Sequence, residues 1–312
     1  MSRIMGVCSP SFAKNKNLRS LLSEEFAQWT VRYCKTPYEM DQEALICFLE
    51  NAEVAIIGKE QIDEQTLNNL PQLRAISKYG VGLDTIDHAA CKDRGIQIFH
   101  TPGVNRHAVA EMTIGMMISI LRNISFSDHL LKNGTWRKNG GQQLWGKTVG
   151  IIGCGAIGSQ VAKLLVAFNC KVFVCDILDK RAFCADLGAE QLSLHELLEN
   201  SDIVSLHVPL TNATRHLIDE ANLLKMGSKT ILINTSRGEV VDQEQLKVAL
   251  EKQTIFAAGI DVYEDEPCKD QEFLGLSNLL ATPHIAGNAV ESVEAMGKAA
   301  ISGVRHFVLS QN

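Results

Sequence analysis

Residues 148–176, TVGIIGCGAIGSQVAKLLVAFNCKVFVCD, restrict what this chain can fold into more than any other stretch. An apolar run at 149–152 enters a turn holding Gly153, Gly155 and Gly158, after which Ile157, Val161, Leu164, Leu165 and Phe168 recur at helical spacing. A second apolar run at 172–175 ends on Asp176. Strand, tight turn, helix and strand, with an acid at the second strand's tip, make a dinucleotide-binding βαβ unit. Three glycines alone would be a weak signal, because many glycine-rich turns bind nothing; the flanking elements supply the specificity. Gly153 permits the sharp turn, Gly155 lets the backbone approach a pyrophosphate, and Gly158 lets helix pack on strand. Amides at Ala156 and Ile157, at the positive end of the helix dipole, suit the phosphate charge. Asp176 can accept hydrogen bonds from both adenosine ribose hydroxyls and would repel a 2′-phosphate, and the nearest following arginine is Arg181. The expected cofactor is NAD rather than NADP.

A chain of 312 residues, 46% of them hydrophobic, is long enough for two domains with separate cores. A formal charge of −6, without a long basic cluster, argues against a nucleic-acid surface. The apolar segment 112–121 is too short to span a bilayer, and the amino terminus lacks a signal-peptide pattern, so no membrane partner is expected. Nine cysteines without CxxC pairs or interleaved histidines fit neither a disulfide framework nor a metal site. They read as reduced thiols of a cytoplasmic protein, with no metal. Cys154, inside the glycine turn, is either an oxidation-sensitive thiol or, more simply, a small residue that fits.

Before the glycine turn, short apolar runs at 4–8, 29–33, 54–57, 75–77 and 97–99 alternate with helical patterns at 17–26, 42–50, 64–70 and 86–94. This predicts a parallel sheet covered by helices on both faces, an α/β domain with no dinucleotide turn of its own. Two loops stand out at strand ends, Gly58-Lys59-Glu60 and the segment 78–84, KYGVGLD. Gly80 and Gly82 suit a small anion-binding nest, or equally a plain tight turn. Residues 101–105, TPGVN, carry the breakers of a crossing between domains. The helical run 108–122 is apolar on most sides and must be buried, partly by its own domain and, for the remainder, by a subunit interface. Residues 132–143, with Trp136, read as a polar, glycine-rich arm. Beyond Asp176, strands are expected at 203–208, 230–234, 256–260 and 279–281, each leading into a polar tip. The last helix, 289–309, returns to the first domain.

Three residues in those tips suit one reaction. An enzyme that oxidises a 2-hydroxy acid must hold a carboxylate, remove a hydroxyl proton and present the carbon-bound hydrogen to the nicotinamide. Arg237 offers a permanently charged bidentate fork for the carboxylate. His284 suits the proton, since an unperturbed imidazole titrates near about 6.5. Glu266 can fix its tautomer and favour the imidazolium. Each also has a plainer reading, as a surface arginine, a loop histidine and a solvated acidic turn.

Taken together, KYGVGLDTID (78–87), TPGVNRHAVAE (101–111), GCGAIG (153–158) with Asp176, HVPLTNATRHLI (207–218), INTSRGEVVD (233–242), GIDVYEDEP (259–267) and TPHIAG (282–287) resemble the D-2-hydroxyacid dehydrogenases over almost the full length. The resemblance implies catalytic roles for Arg237, Glu266 and His284. It implies cofactor contacts at Ala156, Ile157, Asp176, His207, Pro209, Thr214, Thr235, Ser236, Asp261 and Gly287 beside the three glycines. Substrate contacts are implied at Lys78, Tyr79, Val81, Gly82, Asn105 and Arg237. A Rossmann NAD-binding domain, 102–285, would be inserted in a flavodoxin-like substrate domain, 1–101 with 286–312. Both would be doubly wound parallel-sheet domains, and a homodimer would form through the NAD domain.

The chain departs from the family's usual pattern at His100, Ala286 and Arg106, none of which removes a catalytic group. A phosphoglycerate dehydrogenase without a regulatory carboxy-terminal domain is the alternative; Lys59 or Lys78 would then replace that branch's phosphate-binding arginines as point charges. A co-repressor-like NAD sensor is a more distant alternative, which the absence of an extended partner-binding region disfavours. Glutamine replaces Glu266 in the formate dehydrogenase branch, so the acid–histidine pair favours alcohol oxidation or ketone reduction.

Overall fold

The structure is a computed structural model that describes residues 3–36 and 40–311. Two compact units account for the described chain: one holds the residues up to Asn105 together with those from Asn288 onward, and the other is Arg106–Gly287.

The first unit has five strands, β1 (Ile4–Val7), β2 (Thr30–Tyr33), β3 (Val54–Ile57), β4 (Ala75–Lys78) and β5 (Gln97–Phe99). They pair in parallel in the order β2-β1-β3-β4-β5, the flavodoxin-like arrangement. Both β3 and β4 are buried along their whole length, as helices on both faces require. One face packs Phe12, Leu18, Leu22 and Phe26 with Ile301, Val304 and Phe307 of the carboxy-terminal helix Val290–Ser310. The other packs Leu45, Leu49, Leu67 and Ile96. Ser77 donates to the carbonyl of Ala300, which ties the last helix to β4.

The second unit continues with β6 (Thr148–Ile152), β7 (Lys171–Cys175), β8 (Glu190–Gln191), β9 (Ile203–Leu206), β10 (Ile231–Asn234), β11 (Ala257–Ile260) and β12 (Leu279–Ala281). Their order, β12-β11-β10-β9-β6-β7-β8, is the doubly wound dinucleotide arrangement, with its switch point between β6 and β9. Acidic or hydroxyl caps start four of its helices: Ser193, Asp219, Asp242 and Asp270 each accept from an amide three residues on. Such a cap stabilises a helix by about 1 kcal/mol. The helix Arg106–Leu121 buries Ala110, Ile114, Met116, Met117 and Leu121 within this unit's own core. That accounts for most of the apolar character of the 108–122 run.

Both sheets follow the expected α/β pattern, and the differences are short elements. Pro10–Lys14, a single turn of helix, and β8, two residues long, carry too little sequence for periodicity to register. A helix at Ile124–Lys132 buries none of its residues, so no buried stripe announces it. Among the described residues no single helix is long and apolar enough to cross a membrane.

Candidate active site

The glycine turn after β6 has the shape the sequence demands. Gly153 takes a φ of 90°, and a side chain there would meet the His207 carbonyl oxygen at 2.7 Å. At Gly158 an added Cβ would lie 2.0 Å from the Gly153 carbonyl oxygen, so helix and strand approach more closely than any other residue allows. Gly155 caps the helix Ala156–Ala167 with no side-chain hydrogen bond, and a Cβ there would meet nothing within 4 Å. Gly155 and Ala156 are exposed, with Ile157 half-buried beside them. Open space over a helix start without a side-chain cap fits a pyrophosphate.

Asp176 stands at the tip of β7 with its carboxylate held in place. One oxygen accepts from the Cys154 amide at 2.7 Å and the other from the Leu178 amide at 2.8 Å. Each carboxylate oxygen can accept more than one donor, which leaves capacity for ribose hydroxyls. Burial pushes the Cys154 thiol up to about 11, so the inert, space-filling reading of this cysteine prevails.

Beyond β9, His207 Nε2 and Ser205 Oγ are 2.9 Å apart, and desolvation pushes the imidazole down to about 3. His207 is therefore held as the neutral imidazole, with one ring N–H that can still donate a hydrogen bond. Thr214 braces the following loop through the Pro209 carbonyl at 2.6 Å and the Thr211 amide at 2.8 Å. Beyond β10, the Thr235 hydroxyl is 3.0 Å from that of Thr113, which turns the side chain toward the Arg106–Leu121 helix. Asn234 folds the turn that carries Arg237: its Oδ1 accepts from the Ser236 amide and hydroxyl, and its Nδ2 donates to the Arg237 carbonyl. Gly238 follows, packed so closely that a Cβ would lie 1.9 Å from the Tyr263 carbonyl carbon.

Glu266 and His284 meet. Both carboxylate oxygens lie 2.8 Å from Nδ1 of His284, and each side chain is 28% exposed. A carboxylate at this distance fixes the tautomer with hydrogen on Nδ1. His284 has a φ of 54°, a left-handed conformation that costs a β-carbon residue about 1–3 kcal/mol. The surroundings hold it there. Buried Asp261 accepts from Thr282 Oγ1 at 2.7 Å and from the Ile285 and Ala286 amides at 2.8 Å each. Asp261 thus anchors the loop on both sides of His284, a function that its position after β11 does not announce. Gly287 ends the same loop, half-buried.

In the first unit, the Lys78 ammonium donates to Thr85 Oγ1 at 3.2 Å, and the buried Tyr79 hydroxyl is 3.1 Å from that of Ser11. Both brace a loop in which Gly80 takes a φ of 139° and Val81 and Gly82 are half-buried. Asn105 Oδ1 is buried without a hydrogen-bond partner, an acceptor that a ligand donor would satisfy.

The sequence model of the D-isomer specific 2-hydroxyacid dehydrogenase NAD binding domain matches residues 114–286. A hydroxypyruvate reductase of Thermotoga maritima is 35% identical over 268 residues, 84% of this chain and 87% of that protein. A glyoxylate reductase of Thermofilum pendens is 40% identical over 270 residues, 83% and 76% of the two chains. Among solved structures, a D-lactate dehydrogenase of Aquifex aeolicus complexed with NAD and lactic acid superposes with a TM-score of 0.87. It is 28% identical, and the match covers 99% of this chain and 96% of that one. With the glycine turn, the placed Asp176 and these matches, the chain belongs to the D-isomer specific 2-hydroxyacid dehydrogenase family and is an oxidoreductase that uses NAD.

Proposed function

We propose that the enzyme interconverts a small, unphosphorylated 2-keto acid and its D-2-hydroxy acid, with glyoxylate and hydroxypyruvate the first candidates. The observation that carries this reading is the Glu266–His284 pair, both carboxylate oxygens 2.8 Å from Nδ1. With Nδ1 tied to Glu266, the proton exchanged with substrate is the one on Nε2. Bound NAD supplies the hydride acceptor, and its reduced form the donor. In reduction the protonated His284 gives its Nε2 proton to the substrate oxygen; in oxidation the neutral ring takes the hydroxyl proton. Arg237 holds the carboxylate in a fixed plane, and amides at Val81 and Gly82 assist it.

The cofactor contacts at Gly153, Gly155, Ala156, Ile157, Gly158, Asp176, His207, Pro209, Thr214, Thr235, Ser236, Asp261 and Gly287 belong to this reading, as do substrate contacts at Lys78, Tyr79 and Asn105. Asp176 favours NAD over NADP by repelling the 2′-phosphate. An unphosphorylated substrate is favoured because the loop after β3 reads Gly58-Lys59-Glu60 and offers no planar guanidinium fork for a phosphate. The relatives' names, hydroxypyruvate and glyoxylate reductase, point the same way. A panel of glyoxylate, hydroxypyruvate, D-lactate and 3-phosphoglycerate with NAD or NADH tests this. A kcat/KM highest for 3-phosphoglycerate would overturn it.

We further propose a homodimer through the second unit and a cytoplasmic location. On the Ile124–Lys132 helix and the arm after it, Ile124, Phe126, Leu131, Trp136 and Trp145 are exposed, the two tryptophans by 77% and 56%. The arm is pinned to its own unit by Arg122 Nε to the Gly140 carbonyl and by the Gln142 amide to the Leu121 carbonyl, both 2.8 Å. A pinned segment with exposed tryptophans suits a second copy as its cover. Light scattering after size exclusion reads the mass, and a monomer at micromolar concentration would refute the dimer. All nine cysteines are free thiols, which suits a reducing compartment. Cell fractionation tests the location.

A further inference from the structure

Tyr263 touches the supports of all three proposed catalytic residues. It lies three residues past β11, with its side chain buried. Its hydroxyl donates to the Thr282 carbonyl at 3.0 Å, two residues before His284. Its amide donates to Glu266 Oε1 at 3.3 Å. Its own carbonyl rests on Gly238, where an added Cβ would sit 2.0 Å from the oxygen, directly after Arg237. Burial pushes the phenol up to about 12, so it remains a donor over the whole working range.

Resting on the acid–base reading of Glu266 and His284, we propose that Tyr263 is a positioning residue that latches the His284 loop to the Glu266 turn. The loop must hold His284 in a left-handed conformation, and hydrogen bonds to Asp261 and from Tyr263 oppose its relaxation, beside the backbone bond of the Thr282 amide to the Ile260 carbonyl. Three are accepted by Asp261, which anchors the loop to the end of β11. Another, from Tyr263, is made by a residue that also hydrogen-bonds Glu266. It couples the two members of the pair through a single side chain and its own backbone. Without the hydroxyl, the ring of His284 drifts from the carboxylate, and its orientation toward substrate is held less well.

Tyr263→Phe removes one oxygen and keeps the packing. The expected result is a kcat lower by about 2- to 10-fold, the range for one net hydrogen bond, with KM and NADH affinity nearly unchanged. The loss in kcat should have the direction of the loss in Glu266→Gln and be smaller. In a Glu266→Gln background the same substitution should cost almost nothing, because the coupling it serves has gone. A lower melting temperature with unchanged kcat would overturn the proposal in favour of a packing role. Losses that simply multiply in the double variant would overturn it too. A His284→Ala enzyme that still turned over would instead remove the acid–base reading, so the two failures are distinguishable.

Discussion

Glu266 presents both carboxylate oxygens to Nδ1 of His284 at the same distance, 2.8 Å. Eighteen residues separate the two in the chain, and both follow strands at one end of the second sheet, β11 for Glu266 and β12 for His284. The symmetric contact keeps hydrogen on Nδ1, so in the proposed reaction the proton exchanged with substrate is the one on Nε2.

The first prediction concerns that proton. Reduction needs the imidazolium and oxidation the neutral ring, so reduction should fall and oxidation rise with increasing pH through the same transition. Glu266→Gln replaces the carboxylate that holds Nδ1 and should lower kcat in both directions. His284→Ala should lower kcat by roughly 10²- to 10⁴-fold with NADH binding retained. Full pH–rate profiles in both directions check this; near wild-type turnover in His284→Ala would refute it.

The second concerns the cofactor. Asp176→Ala should narrow the ratio of kcat/KM for NADH over NADPH, since the lost carboxylate both accepts from the ribose and repels the phosphate. The variant also leaves the buried Cys154 residue's amide without its acceptor. An unsatisfied buried amide costs about 1–3 kcal/mol, so a lower melting temperature should accompany the change. A wild-type enzyme that already prefers NADPH would refute the role given to Asp176.

Sequence legibility followed the range of the physics. The glycine turn was readable because each glycine answers a local demand, and Gly153 and Gly158 meet those demands in the structure. The parallel sheets were readable because both-face burial writes continuous apolar runs such as 54–57 and 203–206. Tyr263 was not readable: its hydroxyl bond reaches 19 residues along the chain, and DVYEDEP offers no periodicity that marks it. For Asp261 the family resemblance implies a cofactor contact, whereas its three accepted hydrogen bonds inside the His284 loop join residues 21 to 25 positions apart and leave no local pattern. Thr235 reads as a tip residue, yet its hydroxyl meets Thr113, a pairing across 122 positions.

The third prediction concerns the substrate carboxylate. A lysine at position 237 keeps the charge and loses the planar fork. Arg237→Lys should raise KM for the keto acid about tenfold or more, the worth of one bidentate contact, with a smaller loss in kcat and unchanged NADH affinity. Asn234 receives the turn through backbone groups and the Arg237 carbonyl, so the fold should tolerate the change. Steady-state kinetics with glyoxylate and hydroxypyruvate read the effect, and unchanged KM and kcat would place Arg237 outside the site.

The last prediction links His207 to acid stability. In the folded protein burial pushes its imidazole down to about 3, whereas in the unfolded chain it titrates near about 6.5. Between those values the unfolded chain binds a proton that the folded chain does not. Stability therefore rises with pH across the window, and is lost as the pH falls from about 6.5 toward about 3. Full exclusion of the proton gives a slope of about 1.4 kcal/mol per pH unit, an upper bound because His207 keeps some exposure. His207→Gln retains a donor for Ser205 Oγ and cannot titrate. Urea unfolding at several values between about pH 6 and pH 4 should show a flatter dependence for the variant than for the wild type. Parallel curves would show that His207 takes up its proton in the folded state as readily as in the unfolded chain.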